Sequence, residues 1–210
     1  MTYKQSFYSN RHENTVYAAE KIIQILTDYI KPKSVVDVGC GTGTFLSVFH
    51  KNGVTDITGI DGDWIDRKLI EIPRKKFMPH DLTIDLHLPR RFDLAMSLEV
   101  AEHLTDGEKF ANLLTLLSDD ILFSAAIPFQ GGNNHVNEQW QSYWVEQFNK
   151  RGYHVYDFIR PIIWDDDQIP YWYRQNILFY SKSVYENPVI IPNIVHPDAY
   201  LTQTALRIFK

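Results

Sequence analysis

Asp37 precedes glycines at 39, 41 and 43 in the run Val35–Phe45, VVDVGCGTGTF. Alternate glycines suit a ligand that lies close to the main chain. Glycine allows the sharp turn and leaves no Cβ in the ligand's way. From about Thr44 the residues fit a helix whose free N–H groups and positive dipole end face the same place. A second reactive set is Glu99, Glu102, His103 and the later His135. Carboxylates and imidazoles together serve either of two chemistries. One is proton transfer near neutral pH. The other is ligation of an ion such as Mg²⁺ or Mn²⁺. On a helical turn Glu99, Glu102 and His103 fall at i, i+3 and i+4 and share a face.

The glycine spacing excludes two common phosphate sites. A dinucleotide loop needs Gly-x-Gly-x-x-Gly, but the sixth position is Thr44 counted from Gly39 and Leu46 counted from Gly41. A P-loop ends in Gly-Lys-Ser/Thr, which is absent from the run.

The flanking elements must bring these sets together. Val35, Val36 and Val38 predict a buried strand, with Asp37 near its carboxyl end. Further strands are expected at Asp56–Ile60, ending in Asp61, and at Lys76–Pro79, leading into His80, Asp81 and Leu82. Others are expected at Phe92–Leu98, Ile121–Ile127 and Tyr153–Ile159, with a last one at Arg174–Ser181. Helices are expected over Asn14–Ile30, from Asp106 as N-cap to Leu117, and over Glu138–Arg151. Trp164–Tyr173 reads as a loop. Alternating strand and helix signals argue for a doubly wound α/β sheet, in which ligands bind beyond the strands' carboxyl ends. Phe129–Asn134 is a polar, glycine-rich loop at such an end.

The Asp-x-Gly-x-Gly-x-Gly spacing, followed by acids after the second and third strands, resembles the class I S-adenosylmethionine (SAM) methyltransferases. The resemblance implies a seven-stranded, mostly parallel, Rossmann-like sheet closed by an antiparallel β-hairpin. It implies one domain over residues 1–210 with a helical cap at 1–31; after about Tyr185 the prolines at 188, 192 and 197 punctuate a tail expected to be extended over 186–210. The resemblance implies SAM as cofactor, held by Asp37, Gly39, Cys40, Gly41 and Gly43. Asp61 would accept the ribose hydroxyls, with Asp63 as alternative, and Asp81 and Leu82 would flank the adenine. Leu98 and Glu99 complete the expected set. Tyr8, Arg11, His12 and Tyr17 of the cap would either line the mouth or pack the cap onto the sheet.

The acceptor side is expected to carry His103 and His135 as catalytic residues. The pattern Glu-x-x-Glu-His with a later His is also similar to two metal-using O-methyltransferase groups, the small-RNA 3′-end enzymes and the ubiquinone-pathway enzymes. That likeness implies a divalent ion on Glu99, Glu102, His103 and His135. Favoured is O-methylation of a small molecule or saccharide hydroxyl. Trp140, Trp144, Trp164, Trp172 and Tyr173 would stack on the acceptor or cover the sheet. The alternatives are a metal-dependent RNA terminal-ribose 2′-O-methyltransferase and a SAM-binding partner subunit without catalysis.

Composition narrows the class. With 21 basic and 26 acidic residues the net charge is −5, and Arg74–Lys76 and Arg90–Arg91 are short clusters, so a nucleic-acid partner is not expected. No apolar run approaches a membrane span, and no signal peptide is evident, which implies a cytoplasmic setting. The single Cys40 cannot form an internal disulfide, and its small size accounts for it in the glycine loop.

Overall fold

The computed structural model describes residues 5–185 and 193–208, with side chains described for 13–185 and 193–205. Strand β1, Ser34–Val38, is buried along its whole length. Strand β2 (Asp56–Asp61) lies on one side of it and β4 (Leu94–Leu98) on the other, both parallel to it. A strand buried on both faces reads as a continuous apolar run, as VVDV does apart from its acid. The outer strands are β3 (Phe77–Pro79), β5 (Asp120–Ser124), β6 (His154–Tyr156) and β7 (Leu178–Ser181). The order is β3-β2-β1-β4-β5-β7-β6, with β7 antiparallel to both of its neighbours. The expected seven-stranded Rossmann-like sheet with its closing hairpin is therefore present.

Successive residues of β1 feed opposite faces. Val35 joins Ala18, Ile22 and Leu26 of α1 (Gln5–Tyr29) and Leu46 and Phe49 of α2 (Thr44–Lys51). Val36 and Val38 join Phe110 and Leu114 of α3 (Gly107–Leu117) and Trp144 and Phe148 of α4 (Gln141–Asn149). The two layers hold the sheet rigid. The strand order reverses direction between β1 and β4, which places the ligand crevice above their carboxyl ends. Asp106 caps α3 by accepting the Lys109 N–H at 2.9 Å.

Several expected boundaries shift. Strand β5 ends at Ser124, β6 at Tyr156, and α4 begins at Gln141, so Glu138 and Gln139 belong to the preceding loop. The segment read as loop and strand over Trp164–Asn176 contains helix α6, Tyr171–Asn176, after a short α5 at Arg160–Ile163. The tail expected to be extended over 186–210 forms helix α7, Pro197–Ile208. Pro197 stands at its first position, where the missing N–H has no intrahelical role. No described helix is long and apolar enough to cross a membrane.

Candidate active site

The glycine loop leaves β1 by crossing over β2: the N–H groups of Gly39 and Cys40 both donate to the Ile60 carbonyl, at 2.7 and 3.1 Å. Gly39 has φ +84, and a Cβ on it would lie 2.4 Å from a γ-methyl of Val100. No other residue fits there. Gly41, at φ +55, has open space where a Cβ would stand, so the main chain is accessible from that side. The loop ends at Gly43, where α2 begins.

Three acids surround this loop. Asp37 is 4% exposed, and its carboxyl accepts no hydrogen bond from any described residue. Burial, with Asp61 nearby, pushes its pKa up to about 8. A buried carboxyl with unfilled acceptors at the end of β1 fits a cationic ligand group. Asp61 closes the loop: Oδ2 accepts the Gly41 N–H and Oδ1 the Gly62 N–H, each at 2.7 Å. Each oxygen keeps a further lone pair for a ligand hydroxyl. Glu71 was not foreseen. Its Oε1 accepts from Thr42 and Thr44 at 2.8 and 2.6 Å, and its N–H donates to the Thr42 carbonyl at 2.8 Å. It fastens the connection after β2 onto the glycine loop. The Cys40 thiol is pushed up by burial and by the two nearby carboxylates, so it is not a thiolate nucleophile.

Beyond β3, Asp81 makes a local turn, with Oδ1 accepting the Thr83 N–H and hydroxyl at 2.9 and 2.7 Å. Leu82 packs against the core on the α3 side and Leu98 against the core on the α1 side.

Beyond β4, the helical face expected for Glu99, Glu102 and His103 is not formed. Glu99 has φ +57, and only Ala101–His103 make a short 3₁₀ turn. Glu99 therefore points elsewhere. Its Oε1 accepts from the Asn176 carboxamide at 3.0 Å and its Oε2 from Gln130 at 2.9 Å. Burial raises its pKa, and the donors at Asn176, Ser124 and Gln130 work against that rise.

Glu102, His103 and His135 do come together, each with one donor atom within 4.8 Å of the others. Glu102 is 1% exposed, and burial, with Glu99 nearby, pushes its pKa up to about 9. Its Oε2 has no hydrogen-bond partner among the described residues. His103 and His135 meet edge to face at 4.8 Å between ring centroids. Partial burial lowers the His103 pKa, which keeps the ring neutral at pH 7. Nδ1 of His135 lies 2.9 Å from Oε1 of Glu138. The same carboxylate accepts the Gly131 N–H at 2.9 Å and, through Oε2, the Phe129 N–H at 2.8 Å. Glu138 thus shapes the loop after β5 and orients the imidazole with one side chain.

Residues 10–158 match the family described as a methyltransferase domain. The chain belongs to that family. Among solved structures, this methyltransferase is similar in fold to three distant ones. Magnesium protoporphyrin IX methyltransferase (ChlM) from Synechocystis PCC 6803 with bound SAH has a TM-score of 0.60 at 16% identity, covering 87% of this chain and 90% of its own. The plantazolicin methyltransferase BpumL, in complex with SAH and a monoazolic desmethylPZN analog, has a TM-score of 0.56 at 15% identity, covering 83% and 86%. The methyltransferase domain of bacterial CtHen1-C has a TM-score of 0.55 at 20% identity, covering 79% and 98%. No curated protein sequence matches.

The other expected residues are dispersed. Trp144 and Tyr173 are core residues, and Trp172 packs against the core around α1. Trp164 lies on His196, 4.5 Å between centroids. Trp140 stands in a cleft, with 37% exposure. Tyr17 donates to Asp166 at 3.0 Å, which fits the packing role for the cap. The side chains of Tyr8, Arg11 and His12 lie outside the described residues. Arg90 and Arg91 are paired with Asp56 and Asp119. Besides Glu71 and Glu138, the residues the sequence concealed are Gln130, Gln175 and Asn176. They form a buried amide cluster around Glu99, with both Gln175 and Asn176 donating to Oε1 of Gln130, at 3.0 and 2.9 Å.

Proposed function

We propose that this methyltransferase takes its methyl group from SAM and delivers it to a hydroxyl of a small molecule or saccharide. The observation that carries the reading is Asp37: a buried carboxyl with no hydrogen-bond partner among the described residues, beside a glycine loop at the carboxyl end of the central strand. The similar structures of ChlM and BpumL, described with SAH bound, support it.

When bound, SAM supplies a methyl group already activated on a sulfonium centre. The chain's residues bind, orient and move a proton. Asp37 faces the cationic part of the cofactor. Gly39, Cys40, Gly41 and Gly43 let the main chain approach it, and Asp61 accepts the ribose hydroxyls with its remaining lone pairs. Asp81 and Leu82 flank the adenine, and Leu98 and Glu99 border the amino-acid end. Glu138 holds His135 with Nδ1 protonated, so that Nε2 accepts the acceptor's proton. His103 packs on that ring as a neutral imidazole. Glu102, protonated at neutral pH, donates rather than accepts.

Methyl transfer itself gives the test. SAH release from SAM in the presence of hydroxyl acceptors should fall about 10²–10⁴-fold in His135→Ala, the range for losing a general base. Undiminished turnover in that variant would remove the proton-transfer reading.

One observation favours a second reading of the same residues, the proximity of Glu102, His103 and His135. These three would hold a divalent ion, which would lower the pKa of an acceptor hydroxyl. Glu99, the fourth expected ligand, is committed to Gln130 and Asn176. On this reading chelation abolishes activity, Mg²⁺ or Mn²⁺ restores it, and Glu102→Ala mimics the chelated state. Full activity in excess chelator leaves the histidine base alone.

A further inference from the structure

A cleft of about 240 Å³ lies between the loop after β5 and helix α7. One wall is Ile127, Pro128, Phe129, Gln130 and Trp140, and the other is Val195, Ala199, Tyr200, Gln203 and Thr204. Every one of these ten side chains is uncharged. Three carry aromatic rings, and Phe129 and Tyr200 are 77% and 66% exposed. Phe129 is also held at φ +68, an unfavourable conformation for a bulky residue. Such strain persists where the surroundings enforce it, and here the Glu138 carboxylate grips the Phe129 N–H. That carboxylate also orients His135. The aromatic wall and the imidazole are therefore set by one group. The opposite wall is held as well, because Gln203 donates to the Gln130 carbonyl at 2.5 Å. The Gln130 side chain in turn donates to Glu99. The family match ends at residue 158, so the α7 wall belongs to the part of the chain outside it.

We propose that this cleft binds the ring system of the methyl acceptor, and that the acceptor is an uncharged aromatic hydroxy compound of one or two fused rings. The proposal rests on the methyltransferase reading above and narrows it. An apolar cavity of about 150 Å³ accommodates benzene, so 240 Å³ suits a fused pair of rings. Small-molecule sites of this kind combine apolar and aromatic walls with few polar groups. A saccharide would need several donors and acceptors around its hydroxyls; of the five polar side chains in this lining, Gln130, Gln203 and Thr204 already donate to Glu99, the Gln130 carbonyl and the Tyr200 carbonyl, which leaves the Trp140 N–H and the Tyr200 hydroxyl. A charged acceptor would find no counter-ion among the lining residues.

The experiment uses the full chain and 2-naphthol as probe, with methyl α-glucoside as the saccharide comparison. Binding is followed by saturation-transfer NMR, without and with SAH. The expected result is that 2-naphthol binds and the glucoside does not. Tyr200→Ala and Ala199→Phe should each weaken 2-naphthol binding at least about tenfold while SAH affinity stays unchanged; Tyr200→Ala leaves the thermal midpoint unchanged, whereas Ala199→Phe, at a buried position, lowers it. Tyr200 is exposed, so its variant is expected to fold. If SAH binds but 2-naphthol does not, or if the two variants leave 2-naphthol unaffected, the cleft assignment is overturned. If the glucoside binds in its place, the substrate class is overturned. If SAH fails to bind the wild type, the parent reading fails. The cleft then counts at most as an aromatic site unrelated to methyl transfer, which also overturns the proposal.

Discussion

Asn176 donates its carboxamide N–H to Oε1 of Glu99 at 3.0 Å, across 77 residues of sequence. The contact joins the part of the chain that matches the family to the part that does not. Gln130 donates to the other oxygen. Two amide donors aim the half-buried carboxyl group and oppose the rise in pKa that burial causes. Asn176→Leu leaves Glu99 with one of these carboxamide donors and raises its pKa further. SAH affinity should then fall by about 1–3 kcal/mol, the usual cost of removing a hydrogen bond to a buried charged group. Calorimetry on wild type and variant decides this, and equal affinities would show that Glu99 does not border the cofactor.

Gly39 admits no side chain, for two separate reasons. Its φ of +84 disfavours any L-residue, and a Cβ would strike Val100. Gly39→Ala should lower the thermal midpoint and weaken SAH together. Adding Val100→Ala removes both γ-methyl groups and should recover part of the stability, because the two closest contacts are gone and only the 3.1 Å approach to the Val100 Cβ and the conformational penalty remain. Thermal melts of the single and double variants test this. A double variant no more stable than Gly39→Ala would mean that the contact with Val100 is not what excludes a side chain.

Glu138 orients His135 and also holds the loop at Phe129 and Gly131. Glu138→Gln keeps size and one acceptor but loses the charge. It should lower kcat with little change in SAH affinity. A kcat equal to that of the wild type would show that His135 does not depend on Glu138 for its orientation.

The parts of the fold readable from the sequence are those in which local pattern and tertiary role agree. Strands β1, β2 and β4 are continuous or alternating apolar runs, and Asp37 and the glycines mark a turn that needs positive φ at three positions. Helix α6 was hidden because YWYRQN is short and rich in aromatic residues that favour strands. Its polar residues Arg174, Gln175 and Asn176 are buried, with partners such as Asp198, Gln130 and Glu99 that no local window contains. Helix α7 is hidden from the sequence because proline breaks a helix interior, whereas Pro197 stands at the first helical position. The Glu99 prediction failed for a related reason. Its i, i+3, i+4 spacing has meaning only on a helix, and the chain leaves β4 through a positive φ instead.

The account stands on Asp37 as the seat of the cofactor's positive charge, and SAH titration at several pH values tests that most directly. Without ligand the Asp37 pKa lies at about 8, raised above its ordinary value, so the carboxyl is mostly protonated at pH 7. A raised acid costs stability progressively as pH rises from about 4 through about 8, since the unfolded chain releases its proton first. The ammonium group of SAH, seated against Asp37, reverses that preference. Binding at pH 7 should release close to one proton, visible as a buffer-dependent enthalpy, and affinity should climb about tenfold per pH unit from pH 6 until it levels near pH 8. Asp37→Asn should bind more weakly and lose both effects. A wild type that binds no SAH, or binds it with no proton release and no pH dependence, would contradict the account.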